Sequence, residues 1–291
     1  MTEAPLTGQI AWVTGSSRGL GRVMAERLGR LGADLVVHGT SQTSARAFGE
    51  GESLDQVARD VAARTERRVL AVAADLTRPE EVQAAAVRIR AEYGRIDVLV
   101  NNAGGDIGQA GATGPGGGRP RNNDGVFIGL EDLRAVIDRN LLSCIYVCRE
   151  VAPEMIERRA GRIVNLGSVA GLSGRAEGVI YATAKAAVHE YTRCLAVQLR
   201  PHNVTVNCVA PGGTMTPRFV ATGQAHPGVV EKVGTLEGYG RPEDIARAVE
   251  YFVTDAGRHV SGQILRVDGG ALSHLAHVSK LRASGRTTNR T

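Results

Sequence analysis

A short apolar run, Ile10-Ala11-Trp12-Val13-Thr14, breaks into Gly15-Ser16-Ser17-Arg18-Gly19-Leu20-Gly21 and then into a helical pattern from Arg22 to about Leu31. Strand, glycine turn and helix in immediate succession are a phosphate-binding arrangement. Glycines let the backbone come close to a pyrophosphate, while the unpaired N–H groups and the dipole at the helix start favour its negative charge. The spacing is G-x-x-x-G-x-G, distinct from the G-x-G-x-x-G fingerprint. A purely structural glycine turn is the other reading of these residues.

The same rhythm continues along the chain. Apolar strand patterns at 34–38, 69–73, 98–100, 162–166, 205–210 and 264–267 alternate with helical patterns at 54–65, 79–93, 130–155, 181–199 and 242–252. Strict alternation predicts an α/β fold with a doubly wound parallel sheet of seven strands in one domain. At 291 residues the chain can bury the core such a sheet needs. Three stretches fall outside the pattern: polar residues 42–53, the glycine-rich loop 105–125, and 214–238, which reads as a lid over the substrate. Ligands in this architecture bind beyond the carboxyl ends of the strands, and the 105–125 loop leaves such an end. It reads either as part of the site or as plain surface loop.

Charge excludes one class of partner. The formal charge is +5, but the 271–291 tail holds Lys280, Arg282, Arg286 and Arg290 with no acid, so the 1–270 body is nearly neutral. With aromatic residues at only 4%, neither a basic stripe nor stacking platforms for nucleic acid are expected. Cys144, Cys148, Cys194 and Cys208 lack C-x-x-C spacing and read as reduced, mostly buried thiols. No metal site is expected; the closest histidines, His274 and His277, lie in the tail. No run approaches 18 apolar residues and no leader pattern opens the chain, so no membrane association and a cytoplasmic location are expected.

The most chemical local feature is Tyr181-Ala182-Thr183-Ala184-Lys185. Residues four apart share one helical face, and a lysine held there stabilises phenolate over phenol. The pair reads as a general acid/base or as an ordinary surface helix pair. Asn140, a polar residue among Leu141, Leu142 and Ile145, is a satisfied core amide or a catalytic group. At the carboxyl end of the second strand, where an acid would select NAD, stand His38-Gly39-Thr40-Ser41. Asp34 is at the opposite end, roughly 13 Å away at ~3.3 Å per residue. With Arg18 in the glycine loop, NADP(H) is preferred and NAD(H) remains possible. Asp75 meets the adenine or caps the turn into the Pro79 helix.

Thr14-Gly15-x-x-x-Gly19-x-Gly21, Asn101-Asn102-Ala103-Gly104, Asn140, Ser168, Tyr181-x-x-x-Lys185, Pro211-Gly212 and Asp268-Gly269-Gly270 stand in this order. Together they resemble the short-chain dehydrogenase/reductase family, in the style of its oxoacyl-carrier-protein reductase-like members, over about residues 6–270. The resemblance implies a Rossmann-type seven-stranded sheet and a nicotinamide cofactor. It also implies a homotetramer or homodimer built on the helices around Asn140 and Tyr181.

The implied reaction is hydride transfer between the nicotinamide and a small carbonyl or secondary alcohol substrate. Tyr181 would be general acid/base, Lys185 its partner and ribose ligand, Ser168 a donor to the carbonyl oxygen, and Asn140 the holder of a relay water. Gly15, Ser17, Arg18, Gly19, Leu20 and Gly21 would cradle the pyrophosphate. Gly39, Thr40, Ser41, Asp75 and Leu76 would take the adenosine end, with Asn102, Ala103 and Gly104 packed beside it. Pro211, Gly212, Thr214 and Thr216 would face the nicotinamide. The residues 42–53, the 105–125 loop and the basic tail lengthen the common pattern, which leaves the substrate open. The alternative is a catalytically idle dinucleotide-binding sensor; the three-residue gap between Tyr181 and Lys185 disfavours enoyl reductases, and epimerases resemble a longer chain.

Overall fold

Seven strands lie parallel in one sheet in the order β3-β2-β1-β4-β5-β6-β7. They are β1 (Ile10–Val13), β2 (Asp34–Gly39), β3 (Val69–Ala73), β4 (Val98–Asn101), β5 (Gly161–Leu166), β6 (Val204–Pro211) and β7 (Ile264–Val267). This computed structural model describes residues 3–273. Helices α1 (Gly19–Arg30), α2 (Leu54–Thr65) and α9 (Pro242–Val253) cover one face; α3 (Pro79–Tyr93), α5 (Ser143–Arg158) and α6 (Val179–Leu199) cover the other.

The strands are apolar without interruption because both faces are covered. On β1, Ala11 and Val13 join Met24, Leu28 and Phe252 in one core, whereas Trp12 joins Ile89, Val147 and Met155 in the other. The period-two alternation of a strand divides four consecutive apolar residues between two cores in this way. Trp12 pairs with Val36 on β2 and Leu99 on β4, so β1 is the centre from which the chain runs outward to both edges. The order reverses between β1 and β4, and a crevice opens there beyond their carboxyl ends.

Several boundaries differ from the sequence expectation. The single helix expected over 130–155 is α4 (Leu130–Ile137), a π-helical turn at Asp138–Leu142, and then α5. The wider turn accommodates Asn140, whose Nδ2 donates to Val136 O at 2.8 Å and to Gly105 O at 2.8 Å. Helix α1 starts at Gly19 and not at Arg22, and α6 starts two residues before Tyr181. The 42–53 stretch carries a short 3-10 segment at Ser44–Gly49, and 105–125 carries one at Pro115–Gly118. Between 214 and 238 the chain forms two short helices, α7 (Pro217–Ala221) and α8 (Pro227–Val230). Cys144, Cys148 and Cys208 are buried and Cys194 is exposed, all as free thiols. Residues 274–291, with His274, His277 and the tail's basic residues, lie outside the described residues. Among those described, no helix is long and apolar enough to cross a membrane.

Candidate active site

The crevice at the β1/β4 junction is held open by hydrogen bonds between the two strand ends. Thr14 Oγ1 accepts the Asn102 and Ala103 N–H groups at 2.9 and 3.0 Å. Asn102 Nδ2 returns to Thr14 O at 2.9 Å and Gly15 O at 3.2 Å. Gly21 lies directly behind this junction: a Cβ there would meet Gly15 O and come within 2.6 Å of Asn102 Nδ2. Gly19, at φ +55, makes the turn that starts α1. The start of α1 has no side-chain cap from its own N-cap residue and no acid in its first turn. The glycine spacing therefore produces a close backbone cradle at a helix N-terminus, the surroundings a pyrophosphate requires.

A histidine fastens this cradle to β2. His38 Nδ1 accepts the Gly15 N–H at 2.9 Å, while Nε2 pairs with Ala74 O at 3.0 Å, which fixes the neutral Nε2–H tautomer. Ser16 Oγ accepts the His38 N–H at 2.8 Å and donates to Val13 O at 2.6 Å. Burial pushes the His38 imidazole down to about 4, against a smaller upward push from its bond to Ala74. His38 is thus a pin under the loop, set behind Gly39, Thr40 and Ser41.

The cleft above is about 1150 Å³ and is lined by every residue expected to contact a cofactor, from Gly15 through Thr216, together with Ser168, Tyr181 and Lys185. Ser168 follows β5 and caps a 3-10 turn at Val169–Leu172, its Oγ accepting the Ala170 N–H at 3.1 Å. That turn rests on α6: a Cβ on Gly171 would stand 2.6 Å from Ala186 N. Ser168 and Tyr181 are brought to one wall by this contact. Lys185 is 4% exposed, donates to Leu166 O at 2.7 Å, and has Nζ 5.8 Å from the centre of the Tyr181 ring.

Asn140 is a buried, hydrogen-bonded amide, one of the two readings its sequence position allowed. It stands behind the cleft wall, 1% exposed, with Oδ1 accepting Gly105 N–H at 2.9 Å and Nδ2 spent on Gly105 O and Val136 O. Its side-chain amide is fully engaged in fixing the bend after β4. Asp75 caps its own turn, with Oδ1 accepting from Thr77 N at 3.0 Å and Thr77 Oγ1 at 2.8 Å, while still lining the adenosine end.

Three contributors were not singled out from sequence. Glu50 comes from the 42–53 stretch to place Oε2 on Gly19 N–H at 2.7 Å, so a carboxylate does reach the glycine loop. Arg18 is folded under the same stretch, donating to Ser44 O at 2.5 Å and lying 5.5 Å from the Phe48 ring centre. Burial lowers the Arg18 pKa from the usual arginine range, with Glu50 pulling the other way. His189, one turn after Lys185, presents Nε2 to the Ser168 N–H at 3.4 Å. Burial, with Lys185 second, pushes His189 down to about 4. The third is Arg218 on α7, which lines the same cleft as the catalytic candidates. The i,i+4 spacing from Lys185 to His189 was a readable signal; Glu50 and Arg218 depend on how loops fold back and left none. Among the described residues no cluster of metal-ligating side chains occurs.

Comparison with known proteins identifies the family. Residues 9–226 match the short chain dehydrogenase family. Cyclohexanol dehydrogenase of Rhodococcus sp. (strain TK6) is 36% identical over 278 residues, covering 91% of this chain and 97% of its own. The 3-oxoacyl-(acyl-carrier-protein) reductase FabG of Aquifex aeolicus (strain VF5) is 32% identical over 270 residues, covering 92% and 99%. The crystal structure of levodione reductase superposes with a TM-score of 0.79 at 26% identity, covering 93% of this chain and all of its own.

His38 and His189 both have folded-state pKa values below the unfolded value, so the unfolded chain binds more protons between pH 6.5 and 4. Their contribution is complete above pH 6.5 and is lost as the pH falls toward 4. Between pH 7.5 and pH 5 the fully buried His38 should cost about 2 kcal/mol of stability, and His189, more open to solvent screening, less. Urea unfolding of the protein and of His38→Gln at the two pH values checks this: the variant should show the smaller acid-dependent loss.

Proposed function

The chain belongs to the short chain dehydrogenase family and is an NAD(P)-dependent oxidoreductase, and from that premise we propose which residues carry the reaction. The observation that carries the reading is the convergence of the glycine cradle, Ser168, Tyr181 and Lys185 on one cleft. The catalytically idle alternative has no support in relatives known as dehydrogenases and reductases.

The bound nicotinamide supplies or accepts a hydride, and the chain must hold it, orient the substrate and move one proton. Gly15, Ser17, Gly19, Leu20 and Gly21 hold the pyrophosphate, with the backbone close approach that Gly21 permits. Asn102, Ala103 and Gly104 form the wall beside it. Pro211, Gly212, Thr214 and Thr216 close the nicotinamide end. Tyr181 gives its phenolic proton to the carbonyl oxygen in reduction and takes it back in oxidation. Ser168 donates a hydrogen bond to the same oxygen as negative charge develops there. Lys185, anchored on Leu166 O, places positive charge beside the Tyr181 ring. Asn140 positions Gly105 and the bend it belongs to; the relay-water role expected for it does not go through its side-chain amide.

For the adenosine end we propose a preference for NADP(H) over NAD(H), carried by Arg18 with Thr40 and Ser41 and opposed by Glu50. The preference is small because Glu50 places negative charge beside the same arginine. The substrate is a small molecule with a carbonyl or secondary hydroxyl, held between the 105–125 loop and the 214–238 lid. Assembly into two or four copies through α4, α5 and α6 belongs to the same reading, supported by exposed Leu130 and Val197 on these helices.

Tyr181→Phe should retain cofactor binding and lose about 10²- to 10⁴-fold in turnover, the usual worth of general acid/base help; a variant with undiminished turnover would remove Tyr181 from its role. Fluorescence titration with NADPH and NADH tests the adenosine end. Glu50→Gln should raise the NADPH-to-NADH affinity ratio and Arg18→Ala should lower it, and the opposite signs would reassign both residues.

A further inference from the structure

Among the described residues, Arg218 is a cation without an acidic partner, in the cleft that Tyr181 and Ser168 also line. It sits at the second position of α7, whose start is fixed by Thr216 Oγ1 accepting the Phe219 N–H at 3.1 Å. Its guanidinium crosses to the 105–125 loop, where Nη2 donates to Asp106 O at 2.8 Å. Nη1 lies against Gly105, 3.3 Å from where a Cβ on that glycine would be. Nε is shut away from solvent with no hydrogen-bond partner. Among the described residues no carboxylate stands within ion-pair distance of Arg218. The nearest, Asp106, is already held by Arg119 at 3.3 Å and by Asn123 Nδ2 at 2.5 Å.

A guanidinium presents five donors and stays charged, and shielding it from water without an anion is costly. Arg218 shares the cleft with Tyr181 and Ser168. Burial lowers its pKa, while Tyr181 and Asp106 act in the opposite direction, so the phenol and the guanidinium lie within each other's field. Gly105 has φ +133, and a side chain there would press on the guanidinium; the glycine keeps room for it. An oxyanion is the chemistry this site lacks. A guanidinium edge pairs with a carboxylate through parallel hydrogen bonds, and one unpaired cation matches a single negative charge better than the near-double charge of a phosphate monoester.

We propose that Arg218 receives a carboxylate on the substrate, so that the enzyme acts on a keto acid or hydroxy acid whose reacting carbon sits at Tyr181 and whose acid group reaches α7. The proposal rests on the hydride-transfer reading of the same cleft and adds the class of substrate. It makes α7 and the 105–125 loop a joint carboxylate site, with Asp106 O and Gly105 setting the position of the guanidinium. The cofactor's own pyrophosphate is the other oxyanion in the cleft, and the experiment separates the two.

Calorimetric titration of the protein saturated with NADP⁺ would use pyruvate, acetoacetate and levulinate, each against its methyl ester, with dihydroxyacetone phosphate as the phosphate-bearing probe. At least one acid should bind about tenfold or more tightly than its ester, the worth of one charge-assisted hydrogen bond. Arg218→Ala should remove that advantage without changing ester binding, and Arg218→Lys should restore part of it. The proposal is overturned if no acid outbinds its ester, if the phosphate compound outbinds every acid, or if Arg218→Ala weakens NADPH and leaves the acids unchanged. Reduction of the same compounds with NADPH keeps the two readings apart. Neutral ketones reduced with no acid advantage would leave hydride transfer standing and remove the carboxylate site; acids held through Arg218 with no compound reduced would do the reverse.

Discussion

Everything in the site depends on how closely the glycine loop approaches the end of β4. Thr14 and Gly15 take four hydrogen bonds from Asn102 and Ala103 across the junction, and Gly21 packs behind them where no side chain would fit. This brings the start of α1 to the crevice at which the strand order reverses. A bulkier residue at Gly21 would push the helix start away from the crevice, and the cofactor cradle would move with it. His38 and Ser16 fasten the same loop from the β2 side, so it is fixed from two directions.

The second half of the site is organised by α6 acting as a rail. Tyr181, Lys185 and His189 recur at four-residue intervals along one face. Lys185 ties the helix to the end of β5 through Leu166 O, and His189 reaches the Ser168 backbone one turn further on. Polar groups are buried here at a cost that is met by backbone partners, and the surrounding structure holds them in place. The two halves meet because β4 and β5 are neighbours, pairing Asn101 with Asn165 at the end of the ladder.

Much of this architecture could be read from the chain. Alternating apolar runs and helical patterns revealed the parallel sheet, because strands buried on both faces leave an unbroken apolar signature. The residues of the glycine loop, Ser168, Tyr181 and Lys185 were legible because their spacing survives translation into one loop and one helix face. Asn140 was visible as a misplaced polar residue, but its partner, Gly105, could not be inferred since the contact spans 35 positions and a π-helical turn. Glu50 and Arg218 were hidden for a related reason. Each acts across a fold-back of irregular chain, Glu50 onto Gly19 and Arg218 onto Asp106. No periodicity records which loop residue returns to the cleft.

The central claim is that this one cleft performs hydride transfer with a proton handled by the chain. The most direct measurement incubates the protein with NADPH deuterated at both C4 positions and a panel of small ketones and keto acids, and reads the alcohols by mass spectrometry. The account predicts one deuterium on the carbinol carbon of the product. Tight NADPH binding with no deuterium transferred to any member of the panel would contradict it.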